Sequence, residues 1–170
     1  MNGPGNSRVQ GSRIAAENPL GADLALLHRR HTDEMHADTP PESIHMLPAS
    51  ALAAPGISFF VARDGEGTPV AMGALKRLDV VHAEIKSMHV LAEHRGKGLA
   101  RLMLMRLIDE ARAAGFTRVS LETGSQESFK PARALYLRSG FTECGPFASY
   151  THDPNSVYMT CTLAMTTESA

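Results

Sequence analysis

Residues 95–100 read Arg-Gly-Lys-Gly-Leu-Ala and open a stretch whose apolar residues recur at helical spacing. Glycine is a poor helix former, so two of them at a helix start call for a reason. One reason is an anion. The first turn of a helix offers unpaired N–H groups and a partial positive charge, and bare backbone lets a phosphate approach closely. The other reason is a plain capping turn flanked by solvated cations. Two familiar phosphate loops are excluded by residue type. A Walker loop needs Gly-Lys followed by Ser or Thr, and Gly98-Leu99 follows instead. A dinucleotide fingerprint needs a third glycine, and Arg101 stands there.

The remaining polar chemistry is sparser. His28 and His31 lie one helical turn apart with Glu34 nearby, and His36 and His45 follow. No acidic or cysteine set completes a site at known ligand spacing, so these read as surface histidines and no metal is expected. Cys144 and Cys161 are the only cysteines and form no CxxC, which argues against a disulfide framework or a zinc ribbon. A net charge of −1 makes a general nucleic-acid binder unlike this chain, so any basic site must be local. No apolar run approaches the ~20 residues of a membrane span. The polar start, MNGPGNSRVQGSR, lacks the apolar core of a secretory signal, so a cytoplasmic setting is expected by default.

The 170 residues fit one domain, taken as 13–170, behind a flexible leader over 1–12. LGADLALLHRRHTDEM reads as a helix, and Leu47 to Ala53 as a short second one after a proline pair. ISFFVARD, GEGT and PVAMGALKRLDVV spell a hairpin, and HAEIKSMHVLAE a third strand leading into the glycine turn. In the following helix Ala100, Met103, Leu104, Leu107, Ile108 and Ala111 make one apolar face. Leu102 and Met105 fall off that face and point to a homodimer contact. Gly115 closes the helix, RVSLET is a strand, SFKPARALYLRSGF a helix ended by Gly140, and FTECGPFASY and SVYMTCTL two closing strands. This order predicts a mixed α/β sheet with helices on its faces.

At this point the chain resembles the GNAT superfamily of acyl-CoA-dependent N-acyltransferases. The family signature Arg/Gln-x-x-Gly-x-Gly/Ala is met at every fixed position by Arg95, Gly98 and Ala100. A second segment, Ala-x-x-Leu-Tyr-x-x-x-Gly-Phe, is met by Ala132, Leu135, Tyr136, Gly140 and Phe141. PPESIH, EIKSM, SLETG and PFASY look like the bacterial YsnE-like acetyltransferases. The resemblance implies a mostly antiparallel sheet of six to seven strands, flanked by helices and splayed at the two strands around the cofactor.

It also implies acetyl-CoA as co-substrate, with its pyrophosphate on the amides of Gly96, Gly98, Leu99 and Ala100 and neutralising charge from Arg95 and Lys97. Met88, His89 and Val90, on the strand before the turn, supply backbone contacts and hold the oxyanion. Phe129 stands where many members place an asparagine that seats the cofactor arm. Tyr136 is the family's position for the acid that protonates the leaving thiolate. A phenol near 10 facing a thiol near 8.5 is uphill by about 2 kcal/mol.

Glu84, four residues before Met88, is expected on the same side and is the candidate base, against a plain ion pair with Lys86 or Lys76. His82 and His89 rival it by pKa. Glu42, Ser43 and His45 are candidate acceptor contacts, and Tyr150, with Asp153 and Asn155, closes the pocket from a late loop. The expected reaction is direct acetyl transfer to the amine of a small molecule or to an exposed amino group, with no nucleic-acid or membrane partner. The alternative is a non-catalytic acyl-CoA sensor.

Overall fold

The computed structural model describes residues 11–164. The hairpin expected from strand-turn-strand patterning is β2 (Ile57–Arg63) and β3 (Pro69–Arg77). Its turn is tied by the Asp64 carboxylate, which accepts from the amides of Glu66 and Thr68 at 2.9 and 3.0 Å. Seven strands form one sheet in the order β1-β2-β3-β4-β5-β7-β6. They include β4 (His82–Val90), β5 (Arg118–Gly124), β6 (Thr142–Cys144) and β7 (Ser156–Thr162). Only the β4–β5 pairing is parallel.

One strand was not foreseen. β1 (Arg13–Ala16) pairs with β2 at the sheet edge, and four residues are too few to show an alternating pattern. Arg63 pins this edge by bonding Glu17 at 2.7 and 2.9 Å and Asp23 at 2.6 Å. Of the flexible leader expected over 1–12, residues 1–10 lie outside the described residues.

Helices cover both faces. α3 (Leu99–Ala113) and α4 (Lys130–Arg138) pack on one, where Met103, Leu104, Leu107 and Ala111 meet Ala71, Leu75, Ile85 and Leu121. α1 (Ala25–Asp38) and α2 (Ala49–Leu52) cover the other, with Leu24, Leu27 and Leu52 against Phe59, Val61 and Met72. Leu102 also packs against the first of these cores, leaving Met105 exposed at 46%. Of the apolar pair expected to form a dimer contact, Leu102 is thus half-buried and Met105 exposed.

Two irregularities in β4 shape the site. First, its four parallel rungs with β5 run from His82↔Arg118 to Ile85↔Leu121 and then stop, so the strands part beyond Ile85. Second, the β3 register shifts between Met72↔His89 and Ala74↔Lys86, so Ser87 and Met88 together oppose Gly73, and Ser87 takes φ 56°. Such a bulge inserts one residue and reverses the alternation beyond it. Met88 and Val90 consequently pack on the α3 side, whereas Glu84 lines the α1 side. The expectation that Glu84 and Met88 share a face fails for this reason.

Leu107 is fully buried where α3 crosses β3. Leu107→Ala should cost about 2–5 kcal/mol, from lost burial and the cavity left behind. Thermal unfolding should show it as a fall of several degrees, while a shift under one degree would mean the α3 face is not the main core.

Candidate active site

The glycine turn leads directly into α3. Gly96 and Gly98 hold φ of 78° and 80°, a left-handed conformation that other residues adopt only at a cost. A Cβ at either position would meet no protein atom within 4 Å, so space lies open above both. Gly98 caps α3 without any side-chain hydrogen bond, and the first amide to close on it is Leu102, at 3.1 Å. The N–H groups of Leu99, Ala100 and Arg101 precede that bond and have no intrahelical acceptor. This arrangement fits an anion such as a pyrophosphate.

The two expected cations behave differently. Arg95 is engaged elsewhere, on Glu34 of α1 at 2.7 Å and on the Val90 carbonyl at 3.2 Å. It braces the turn instead of standing free beside it. Lys97 is exposed and forms no ion pair among the described residues.

Beyond Ile85 the parted strands leave a gap. On its α3 side lies the Tyr136 ring, packed on Phe141, with its hydroxyl 4.0 Å from the Met88 sulfur. Burial and the nearby Glu122 carboxyl push this phenol up to about 12. Glu122 sits one residue past the last rung, on the face of Ser120 and Tyr158. Burial pushes its carboxyl up to about 7, against the opposing pull of the Ser156 hydroxyl and the Lys86 ammonium. Glu122 thus lies within the electrostatic reach of both Tyr136 and Tyr150. A carboxyl tuned near neutrality at a strand gap is suited to taking a proton. No sequence signal named it, although it lies inside SLETG, because its place depends on where the parallel pairing ends.

On the α1 side a cleft of about 290 Å³ is lined by His45, Met46, Lys76, Glu84, Lys86 and Tyr150, among others. Glu84 is 3% exposed, and its Oε2 accepts from Tyr150 at 2.5 Å and from Lys86 at 3.2 Å. Lys86 also donates to the Tyr150 hydroxyl at 2.9 Å. Glu84 is therefore in the ion pair with Lys86 that the sequence offered as its alternative role. Burial and the Glu84 carboxylate raise the Tyr150 phenol, so it stays protonated. His45 packs edge-on against Tyr150 at 5.1 Å.

Other expected residues fall elsewhere. Glu42 is exposed and does not line the cleft. Ser43 is buried as a tether, accepting from the Asn155 side chain at 3.3 Å. Phe129 covers the end of β5, where a Cβ at Gly124 would overlap its ring. His82 bonds the Ser120 hydroxyl at 2.6 Å at the joined end of the strands, away from the gap. His89 faces α1, edge-on to His31 at 5.2 Å and 3.3 Å from Glu34, and burial lowers its pKa.

A sheet parted beside a glycine-lined helix start is the arrangement that the resemblance to acyltransferases implies, and comparison with known proteins bears on the same point. The sequence model of the acetyltransferase (GNAT) family matches residues 24–141, and the chain belongs to this family. The uncharacterized N-acetyltransferase YsnE of Bacillus subtilis is 46% identical over 86% of this chain and 97% of its own. Among solved structures, an acetyltransferase from Streptococcus agalactiae superposes with a TM-score of 0.71 at 24% identity, over 91% of this chain and 99% of that one. The Salmonella typhimurium protein yncA, solved with its cofactor acetyl-CoA, gives 0.67 at 20%, over 91% and 95%. These two likenesses speak for the fold. No helix among the described residues is long and apolar enough to cross a membrane.

The raised Glu122 carboxyl has a consequence for stability. The folded protein holds this proton more tightly than the unfolded chain does, so stability falls as pH rises from about 4.5 to about 7. Glu122→Gln should therefore stabilise the protein at pH 8 by up to roughly 3 kcal/mol, and by less than about 1 kcal/mol at pH 5. Urea unfolding at the two pH values measures this, and an equal gain at both would show that Glu122 is not held protonated.

Proposed function

We propose that this protein transfers an acetyl group from acetyl-CoA to the primary amine of a small acceptor, or to an exposed amino group, by direct attack in a ternary complex. The observation that carries this reading is the β4–β5 gap, with Glu122 on one side, Tyr136 on the other and the open glycine turn at its end. The amides of Gly96, Gly98, Leu99 and Ala100 receive the pyrophosphate, and Lys97 adds screened positive charge. The backbone of Met88, His89 and Val90, beside the bulge, lines the gap, and its Met88 and Val90 N–H groups stabilise the developing oxyanion.

Glu122 takes the proton as the acceptor nitrogen attacks the thioester carbon. The C–N bond forms, the C–S bond breaks, and Tyr136 delivers a proton to the departing sulfur. A phenol at about 12 facing an ordinary thiol near 8.5 would be uphill by about 5 kcal/mol. A thiolate forming in the same dry gap is itself destabilised by desolvation, which narrows that difference. Glu84 positions Lys86 and Tyr150 at the acceptor wall in place of acting as the base. A sensor that only binds acyl-CoA would have no use for an acid and a base facing each other across the gap.

Initial rates of coenzyme A release over a panel of amines test the reading, and intersecting double-reciprocal lines are expected. Parallel lines would overturn direct transfer. Glu122→Gln should lower kcat about 10²–10⁴-fold and remove the rise of kcat/KM through pH 7, with acetyl-CoA affinity retained. Gly98→Val should weaken acetyl-CoA binding at least about ten-fold, partly through left-handed strain of ~1–2 kcal/mol. Gly98→Asn, which tolerates that conformation, separates obstruction from strain. Unchanged affinity in both folded variants would mean that the cofactor is not held at this turn.

A further inference from the structure

The acceptor cleft carries more positive charge than an amine alone calls for. Lys76, on β3, and Lys86, on β4, both line it. Lys86 is answered by Glu84. Lys76 is half-buried and has no hydrogen-bond or ion-pair partner among the described residues. Nε2 of His45, which lines the same cleft, is buried without a hydrogen-bond partner. The loop carboxylate Asp153 lies within electrostatic reach of His45 and accepts the Asn155 amide at 2.8 Å, but it forms no ion pair with Lys76 among the described residues. A half-buried ammonium and an unpartnered imidazole nitrogen both gain from an anion.

Resting on the transferase reading above, we infer that the acceptor is an amine that also bears a carboxylate, a free amino acid or close analogue. Its carboxylate is held by Lys76 and by His45 Nε2, and its amine is turned toward Glu122.

The sheet supplies a ruler for this assignment. Lys76 is level with Glu84, and Glu84 with Ser120, two residues before Glu122 on β5. With paired strands about 4.8 Å apart and ~3.3 Å per residue, the Lys76 and Glu122 Cα atoms are at least about 12 Å apart, because the strands part beyond Ile85. Both side chains rise from the same face, and a hydrogen bond of ~3 Å at each end leaves roughly 6 Å for the ligand. A flexible lysine arm shortens that span further, so α- to γ-amino acids fit. A polyamine would instead bring a second cation against Lys76.

The test has a kinetic and a binding arm. Initial rates are measured with leucine, phenylalanine and γ-aminobutyrate, with their carboxamides and decarboxylated amines, and with spermidine. The carboxylate-bearing acceptors should lead in kcat/KM by at least ten-fold, mostly through KM. Lys76→Met should erase most of that lead, and Lys76→Arg should restore it. In the binding arm, the protein loaded with coenzyme A is titrated calorimetrically with N-acetyl amino acids and their amides, which reads the same preference without turnover.

Carboxylate-selective, Lys76-dependent binding without any transfer would uphold this inference and sink the transferase reading. Transfer to amines with no preference for a carboxylate would do the reverse. An unchanged preference in Lys76→Met, or no binding of any N-acetyl compound, would overturn the inference.

Discussion

The arrangement of the site depends on the way β4 changes partners halfway along its length. Its first half is hydrogen-bonded on both edges, to β3 and to β5; its second half keeps only β3 and carries a bulge. Losing the β5 partner leaves main-chain groups along one edge of Lys86–Val90 facing a gap, and unpaired backbone of this kind is costly unless something occupies it. The bulge resets which side chains face which helix layer, so one strand serves two sides. Before the bulge it delivers Glu84 and Lys86 to the cleft on the α1 side, and after it Met88 to the α3–α4 core. Gly73, opposite the bulge, fits under α3 because a Cβ there would come within 2.9 Å of Met103.

The Glu84–Lys86–Tyr150 cluster follows from that constraint. A buried ion pair is a weak source of net stability, because desolvation offsets most of the attraction, yet removing one partner is severe. Such a cluster is better understood as a tie. Tyr150 comes from the loop between β6 and β7, and its hydroxyl joins that loop to β4. Phe147, edge-on, and Tyr158, tilted, pack around the same ring with centroids at 5.0 and 5.6 Å. The Tyr150 side of the cleft is thus fastened to the strand that also lines the gap.

Much of this was legible in the sequence. The apolar face of α3, the hairpin and the closing glycines announced themselves because local periodicity and turn chemistry agree with the fold. The glycine turn was legible as a break opening a helix, although its residues alone left an anion site and a plain capping turn both open. What escaped depends on long-range register. Glu84 was placed on the wrong side relative to Met88 because a bulge, set by pairing with β3, lies between them. Glu122 gave no signal, because its environment is fixed by where strands more than thirty residues apart in the chain stop pairing. Arg95 matched a motif by identity, yet its guanidinium is committed to Glu34, sixty-one residues away.

That last contact links the two halves of the site. Arg95 joins the turn to α1, and a second pair, Arg30 with Glu93 at 3.4 Å, spans the same interface. Glu34 also lies beside His89, which sits edge-on to His31, whose pKa burial and the adjoining His89 and His28 rings lower to about 4. Burial and the adjoining rings thus favour the neutral form of both imidazoles, so α1 meets β4 through packing, while the charged pairs Arg95–Glu34 and Arg30–Glu93 tie it to the segment that follows. His31 also lines a second cleft with Ser87 of the bulge and with Met46, which borders the acceptor cleft as well. A shift of α1 would be felt at the glycine turn through Arg95 and at the Tyr150 cleft through Met46 and His31. One helix therefore bears on both the turn and the cleft.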